Sequence, residues 1–136
     1  MKERCFGTIP LKKNKKWYLF LVKHKSGMYW GFPKGHREKD EDSKTTALRE
    51  LKEETNLKVV RFITDKSFNE NYIFYRDNNK IEKEVVYYLV EVKGEEKIQK
   101  KEIEEARWVE LDKAHKYITY KESKNILDEV KKIIFR

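Results

Sequence analysis

Segments rich in apolar, β-branched and aromatic residues alternate along this chain with helical segments, and this order constrains the fold more than any other feature. Helical periodicity is found at residues 43–55 and near the end of the chain. The strand-like segments are residues 4–9, 17–22, 58–63, 67–75, 81–92 and 106–110. Short strands bury an apolar face only when they pair into a sheet that other elements cover. The sequence therefore predicts an α/β fold in which a sheet lies between at least two helices.

The helix predicted at residues 43–55 is defined by an apolar stripe and by its two ends. The stripe consists of Ala47, Leu48, Leu51 and Thr55, which recur at the spacing of one helix face. A side-chain oxygen of Asp42 or Ser43 can cap the first turn. Asn56 follows the last turn, where a left-handed residue commonly ends a helix.

Local signals also mark the connections and the C-terminal segment. The lysine-rich stretch 12–16 predicts an exposed hairpin tip, and residues 77–80 (DNNK) predict a second turn. Thr119 and Glu122 form a capping-box pattern. The apolar residues that follow at helical spacing are Ile126, Leu127, Val130, Ile133 and Ile134.

Length and composition bound the class of protein. A chain of 136 residues can form one domain with an apolar core, so we expect a single domain over residues 1–136. The longest apolar runs, 17–22 and 85–90, are far shorter than the roughly 20 residues that span a bilayer. Cys5 is the single cysteine and cannot form an internal disulfide. Because the N-terminus lacks a basic and apolar leader, we expect the protein to stay in the cytoplasm, with no membrane partner. We also expect a monomer.

The net charge of +8 favours polyanionic partners such as nucleotides or RNA. Lysine greatly outnumbers arginine among the 32 basic residues, although arginine is the residue suited to bidentate phosphate recognition. Compositional bias therefore explains the total charge better than a dedicated phosphate-binding surface does.

The first helix carries a second, acidic face. At about 100° per residue, Glu50, Glu53 and Glu54 lie within one arc, away from Leu51 and Thr55. Like charges this close repel each other unless a cation lies among them. Magnesium accepts oxygen ligands, is commonly shared between carboxylates and substrate phosphates, and lowers the pKa of bound water. By itself, however, a glutamate-rich helix face is more often solvated surface.

The surroundings of these glutamates favour the metal-binding interpretation. Gly35 is followed after five residues by Glu41 and, after seven more, by the run 49–57 (RELKEETNL). This pattern resembles the signature of the Nudix hydrolase family, with Asn56 where the family has glycine. Asparagine tolerates the left-handed conformation best after glycine, so we expect this difference to reduce stability and leave activity unaffected.

The resemblance implies a fold and a set of site residues. The fold is the Nudix α/β/α sandwich, with a mixed β-sheet between helices. Its metal-binding residues would be Glu50, Glu53 and Glu54, joined by Glu102, for which Glu104 and Glu105 are competing candidates. Arg49 would form a salt bridge that orients a metal-binding glutamate. Mg²⁺ is the implied cofactor, for which Mn²⁺ can substitute.

Motifs outside the signature indicate the substrate. Residues 30–36 (WGFPKGH), 71–72 (NY), 83–89 (KEVVYYL) and 102–108 (EIEEARW) resemble the asymmetric diadenosine tetraphosphate hydrolases of that family. The residues that would contact the phosphate chain are Lys34, His36, Tyr72 and Lys83. Tyr87 and Tyr120 would stack on an adenine. Tyrosines in strands otherwise fill a core.

The resemblance implies that diadenosine tetraphosphate is hydrolysed to ATP and AMP by water activated at the metal. One alternative is an RNA 5′-pyrophosphohydrolase of the same family, with RNA 5′ ends as substrate and a basic surface that helps to bind them. A non-catalytic nucleotide-binding module is the alternative from another class. The intact set of Glu50, Glu53 and Glu54 argues against that module, because carboxylates of this kind contribute nothing to packing.

Overall fold

A computed structural model describes residues 1–136 of the chain. The helices are α1 (Ser43–Thr55) and α2 (Lys121–Ile134), with a 3₁₀ helix at Leu111–Tyr117. The strands are β1 (Lys2–Asn14), β2 (Lys16–His24), β3 (Tyr29–Gly31), β4 (Lys34–His36), β5 (Lys58–Arg76), β6 (Asn79–Lys93) and β7 (Ile103–Glu110). The predicted helix at residues 43–55 is therefore confirmed with both of its ends.

All strands belong to one mixed sheet, with β1 near its centre. The sheet has the order β3-β2-β1-β6-β5, while β4 pairs with β1 and β7 pairs with β2. Strands β1 and β6 are parallel, and the other pairs are antiparallel. The first half of β1 thus lies between β4 and β6. This arrangement brings the short strand β4 close to the hairpin formed by β5 and β6.

Helices cover both faces of the sheet, and alternating residues of β6 show how. Val85, Tyr87 and Leu89 belong to the core beneath α2 and the 3₁₀ helix. Val86 and Tyr88 belong to the core beneath α1. This alternation follows from the two-residue repeat of a strand. The predicted α/β/α sandwich with a mixed β-sheet between helices is confirmed.

The predicted turns agree with the structure, but the strands differ in two ways, the first being that the short strands β3 and β4 were not predicted. Lys15 has a positive φ of 66° at the tip between β1 and β2, and Asp77 and Asn78 have positive φ between β5 and β6. The segments predicted as two strands at 58–63 and 67–75 form the single strand β5. Its pairing with β6 is irregular between Phe62 and Ser67, which explains the break in the sequence pattern.

Both ends of α1 use side chains that the sequence indicated. The Asp42 carboxylate accepts a hydrogen bond from the backbone N–H of Thr45 at 2.8 Å. Asn56 adopts the left-handed conformation, with φ of 66°, and its backbone N–H donates to the Lys52 carbonyl. Its side-chain amide also donates to the Glu95 carbonyl at 3.1 Å. This second bond attaches the end of the helix to the loop after β6.

The capping box expected at the start of α2 is wrong. Tyr120 is the residue that precedes the first turn, and it makes no capping hydrogen bond. Thr119 instead accepts a hydrogen bond from the backbone N–H of Trp30 through its hydroxyl oxygen, at 2.9 Å. Its own backbone N–H donates to the Trp30 carbonyl. The Thr119 hydroxyl therefore bonds to β3 and is not available to cap α2.

The longer α-helix has 14 residues, and no helix of the structure combines the length and the hydrophobicity that crossing a bilayer requires.

The left-handed Asn56 generates a stability prediction. Asn56→Ala should lower the free energy of unfolding by about 1–2 kcal/mol, because alanine has no side chain that eases this conformation. Asn56→Gly should stay within about 1 kcal/mol of the wild type, since glycine adopts positive φ freely. Chemical denaturation of both variants measures the difference. Equal destabilisation would mean that the lost bond to Glu95 dominates and backbone conformation does not.

Candidate active site

A cleft of about 730 Å³ opens where β4, the β5–β6 hairpin, the loop before β7 and the start of α2 meet. Its volume lies in the range of small-ligand sites. The predicted site residues that line it are Lys34, His36, Glu54, Tyr72, Lys83, Glu102 and Tyr120. These residues come from distant parts of the chain, and the sheet topology brings them together.

An acidic group lies at one side of this cleft. Carboxylate oxygens of Glu50, Glu54 and Glu102 lie within 4.8 Å of one another. Glu50 and Glu54 are one turn apart on α1, so they project from the same side of the helix. Glu54 is only 2% exposed, and its Oε1 is buried without a hydrogen-bond partner. An unpartnered buried oxygen surrounded by other carboxylate oxygens fits a hard divalent cation.

Backbone hydrogen bonds bring Glu102 to the helix. The N–H of Gln99 donates to the Glu54 carbonyl at 2.9 Å, and the N–H of Lys97 donates to the Thr55 carbonyl at 2.8 Å. The loop before β7 is thereby attached to the last turn of α1, whose carbonyls have no partners within the helix. Glu102 is the member of the 102–105 segment that joins the acidic group.

The two competing candidates point elsewhere. Glu104 is exposed on β7. Glu105 lies 3.9 Å from the ammonium of Lys23 on the neighbouring strand.

Burial and mutual repulsion make the acidic group electrostatically unfavourable without a cation. Burial raises the pKa of Glu54 well above the ordinary carboxyl range, and the charges of Glu50 and Glu102 raise it further. Burial also raises the pKa of Glu50, against the opposing effect of Arg49. A bound divalent cation would reverse this balance by stabilising the ionised forms.

Gly35 provides the space that the Glu50 carboxylate occupies. A β-carbon at position 35 would lie 2.0 Å from the carboxyl carbon of Glu50. Such an overlap would force the carboxylate away from its place beside Glu54. The glycine in the sequence pattern is thus explained by steric exclusion, because φ at this position is not in the left-handed region.

The guanidinium of Arg49 connects α1 with the loop that follows β4. It donates to both carboxylate oxygens of Glu41, at 2.6 and 3.0 Å, and to the His36 carbonyl at 2.9 Å. It also donates to Glu50 at 3.0 Å and to Glu53 at 3.1 Å. The bidentate contact with Arg49 holds the pKa of Glu41 at about 2. Arg49 therefore orients Glu50, whereas the Glu53 side chain is half exposed and lies outside the acidic group.

Cationic side chains form a second wall of the cleft. Lys34 and His36 extend from β4, Lys83 from β6 and Arg76 from the end of β5. Burial lowers the pKa of Lys83, and the charge of Lys34 lowers it further. Two lysines that repel each other across a cleft favour an anionic ligand between them.

Aromatic rings form the third wall. Tyr29 and Tyr120 have ring centroids 5.0 Å apart, and Tyr72 also lines the cleft. His24 stacks on Tyr29 at 4.8 Å, and its Nε2 donates to the Phe32 carbonyl at 3.0 Å. Burial lowers the pKa of His24 to about 3, so the ring is neutral and supports Tyr29 by packing.

The stacking role predicted for Tyr87 is wrong. Its side chain is 1% exposed and packs edge-on against Phe32, with ring centroids 5.1 Å apart. Tyr88 faces the opposite core and hydrogen-bonds to Ser43. Both faces of β6 are covered by helices at this point, so neither tyrosine reaches the cleft. Tyr29, which was not predicted, does line the cleft.

The sequence reasoning did not identify Tyr29, His24 or Glu70 as cleft residues. Glu70 carried a detectable signal, because the two-residue repeat of β5 places it on the same face as the buried Phe68. A lone carboxylate on an inward face is unusual enough to mark a candidate site. Tyr29 and His24 carried no such signal, since their positions depend on the pairing of β2 with β3.

Comparisons with known proteins agree with this geometry. Residues 1–130 match the model of the NUDIX domain. The asymmetrical bis(5′-nucleosyl)-tetraphosphatase of Rattus norvegicus is 33% identical over 126 residues, covering 89% of this chain and 83% of that protein. The mRNA-decapping enzyme subunit 2 of Arabidopsis thaliana is 33% identical over 96 residues, covering 68% of this chain but only 24% of that protein.

A solved structure shows the same fold. The crystal structure of the C. elegans Ap4A hydrolase superimposes with a TM-score of 0.75 at 23% identity, covering 98% of this chain and 99% of that one. The family model and the relatives of similar length together establish that the chain belongs to the Nudix family. It is a Nudix hydrolase, as its sequence pattern predicted.

The raised carboxyl pKa values predict how metal and pH affect stability. Below about pH 4.5 these groups are protonated in both the folded and unfolded states, and the penalty is absent. As pH rises, the unfolded chain releases their protons first, so they destabilise the metal-free fold. A divalent cation should therefore raise the Tm more at pH 8 than at pH 5. At a cation concentration of 100 times its Kd, binding adds about 2.7 kcal/mol to the free energy of unfolding.

Thermal unfolding with Mg²⁺ or with a chelator measures this effect. Glu54→Gln is the control, because it removes the buried charge and should remove most of the metal-dependent increase. An equal increase in Tm at both pH values would contradict the assignment of the metal to these carboxylates.

Proposed function

We propose that the chain hydrolyses dinucleoside polyphosphates, with diadenosine tetraphosphate cleaved asymmetrically to ATP and AMP in a Mg²⁺-dependent reaction. The observation that carries this proposal is the composition of the cleft. Carboxylates, lysines and tyrosines line one space of about 730 Å³. These three kinds of side chain suit, in that order, a metal ion, a phosphate chain and a heteroaromatic base.

The donor set supports magnesium as the metal. Glu50, Glu54 and Glu102 offer only oxygen ligands, which are the ligands that Mg²⁺ prefers, and Mn²⁺ accepts them as well. Glu53 remains a predicted fourth ligand that would have to turn from Arg49. When bound, the metal neutralises charge on the phosphates and makes water a better nucleophile.

The protein's own residues would position the phosphate chain. Lys34 and Lys83 line the cleft together with His36 and can donate to phosphate oxygens. Arg49 holds Glu50 in place, so this carboxylate needs no reorganisation when substrate arrives. Opposite charges on the two walls leave the bridging phosphates between them, where water can attack one phosphorus in line.

The aromatic wall would hold one base. Tyr120 is 43% exposed, and its ring lies close to that of Tyr29, with Tyr72 nearby. We assign to Tyr29 and Tyr72 the stacking role that was expected of Tyr87. Stacking on an aromatic side chain contributes about 1–3 kcal/mol per base. The relative from Rattus norvegicus supports this substrate class through its name and its coverage of the chain.

An RNA 5′-pyrophosphohydrolase is the second candidate. The relative from Arabidopsis thaliana that is named as a decapping enzyme subunit favours it, together with the net charge of +8. RNA would bind through many phosphates, so its turnover should fall steeply with salt, whereas turnover of a dinucleotide should not.

The decisive experiment is to incubate the purified protein with diadenosine tetraphosphate and Mg²⁺ and to separate the products by chromatography. We expect equal amounts of ATP and AMP, and no turnover with a chelator. Two molecules of ADP would contradict asymmetric attack. Turnover of 5′-triphosphorylated RNA alone would establish the second candidate, and inertness towards both substrates would favour a nucleotide-binding module.

Glu102 and Glu104 offer a matched pair of variants. Glu102→Gln should lower kcat/KM about 10- to 100-fold, as when other groups that support a bound metal are removed. Part of this loss should be recovered at higher Mg²⁺ concentration. Glu104→Gln should behave like the wild type, because that side chain is exposed on β7. The assignment of Glu102 fails if the two variants have the same kcat/KM.

We also propose that residues 1–136 act as one domain, as a monomer in the cytoplasm. Nucleotides with several phosphates are abundant there, and the cleft is assembled from a single chain.

A further inference from the structure

Glu70 is a buried carboxylate that the proposed reaction does not use. It extends from β5 into the cleft, is 4% exposed and lies outside the acidic group formed by Glu50, Glu54 and Glu102. Isolated carboxylates are rarely buried to this extent, because losing hydration costs several kcal/mol. A carboxylate that is buried in a cleft despite this loss of hydration is a candidate for a role in ligand binding.

The hydrogen bonding of Glu70 leaves one acceptor free. The hydroxyl of Ser123, in the first turn of α2, donates to Oε2 of Glu70. No protein group donates to Oε1, and no basic side chain lies within ion-pair distance of the carboxylate. Burial raises the pKa of Glu70, and the bond from Ser123 opposes that rise. A buried acceptor of this kind gains most from a ligand that brings a hydrogen-bond donor.

The neighbours of Glu70 narrow the choice of ligand. Burial raises the pKa values of Tyr29 and Tyr72, the nearby charge of Glu70 raises them further, and both tyrosines line the same cleft. An acceptor beside aromatic faces suits a flat heteroaromatic ring that carries an N–H donor on its edge. The Lys34 ammonium lies 5.6 Å from the centre of the Tyr29 ring, so a base held here would lie next to the lysines proposed to bind the phosphate chain.

We propose that Glu70 determines base specificity: its free oxygen accepts a hydrogen bond from the exocyclic amino group of an adenine that lies against the tyrosines. This inference rests on the proposed function, because it assumes that the cleft binds a nucleotide. A purine that lacks the amino group would leave the buried carboxylate unpaired. Sites that hydrogen-bond a substrate group discriminate strongly against analogues that lack it.

The test compares diadenosine tetraphosphate with the analogue whose two bases are unsubstituted purine. The wild type should prefer the adenine compound by about 10- to 100-fold in kcat/KM, the range expected for one hydrogen bond to a charged group. Glu70→Leu should reduce this preference to within about threefold. Glu70→Gln, which keeps the shape of the side chain, should give an intermediate preference.

Ser123→Ala is the matched control, since it removes the hydroxyl and keeps the carboxylate. It should retain most of the preference for adenine. Unchanged preference in both Glu70 variants would overturn the proposal, and so would equal turnover of the two compounds by the wild type.

Calorimetric binding of AMP and of purine riboside 5′-monophosphate separates this inference from the proposed hydrolysis. If the wild type hydrolyses neither dinucleotide, the proposed function fails. The role of Glu70 still stands in that case if AMP binds more tightly than the analogue and Glu70→Leu abolishes the difference. Equal affinities in the wild type would overturn it.

Discussion

The ion pair between Arg49 and the glutamates around it holds the site together. One guanidinium bridges Glu41 in the loop after β4 and Glu50 on α1, and it also binds the His36 carbonyl. Bidentate contacts of this kind are directional, so they set orientation as well as attraction. Through these contacts, the segment that begins with β4 and the helix that carries the carboxylates keep a fixed relative position.

The packing of α1 on the sheet determines which carboxylates lie beside this ion pair. The apolar face of α1 lies on the sheet, which leaves Glu54 buried beside Glu50 with an oxygen that has no partner in the protein. Gly35 allows the close approach of β4 to Glu50, since any β-carbon there would overlap the carboxylate. The fold therefore maintains a concentration of negative charge that is unfavourable in the absence of a cation. The fold is thus less stable than it could be at the position where the carboxylates fit a cation.

The acidic, basic and aromatic side chains of the cleft come from different elements of the fold. The acidic group and the lysines lie on different elements, so their charges face each other without neutralising each other through direct ion pairs. Tyr29 is supported by the neutral His24, and Glu70 by Ser123 of α2. His24 and Tyr29 lie on consecutive strands, whereas Glu70 and Ser123 come from elements that are far apart in the sequence. Contacts of the second kind make the cleft depend on the whole sheet.

Particular residues show how far sequence reasoning reached. The helical spacing of Glu50 and Glu54, the left-handed Asn56 and the turn at 77–80 were all predicted from local patterns, and each follows from backbone geometry within a few residues. Tyr87 was misassigned because strand alternation shows that two neighbours face opposite sides without showing what covers each side. The capping box predicted for α2 was wrong for a related reason, because the Thr119 hydroxyl accepts a hydrogen bond from Trp30 and does not cap the helix.

The sequence by itself determined the elements, the acidic face of α1 and the family, because these depend on short-range periodicity and on the spacing of a few residues. Only the tertiary structure decided that Glu102 joins the acidic group, that Glu53 remains with Arg49, and that Glu70 lies in the cleft. Those outcomes depend on strand order and on burial. Both are set by the packing of segments that are far apart along the chain, and local patterns such as the alternation of β5 indicate only which side chains face inward.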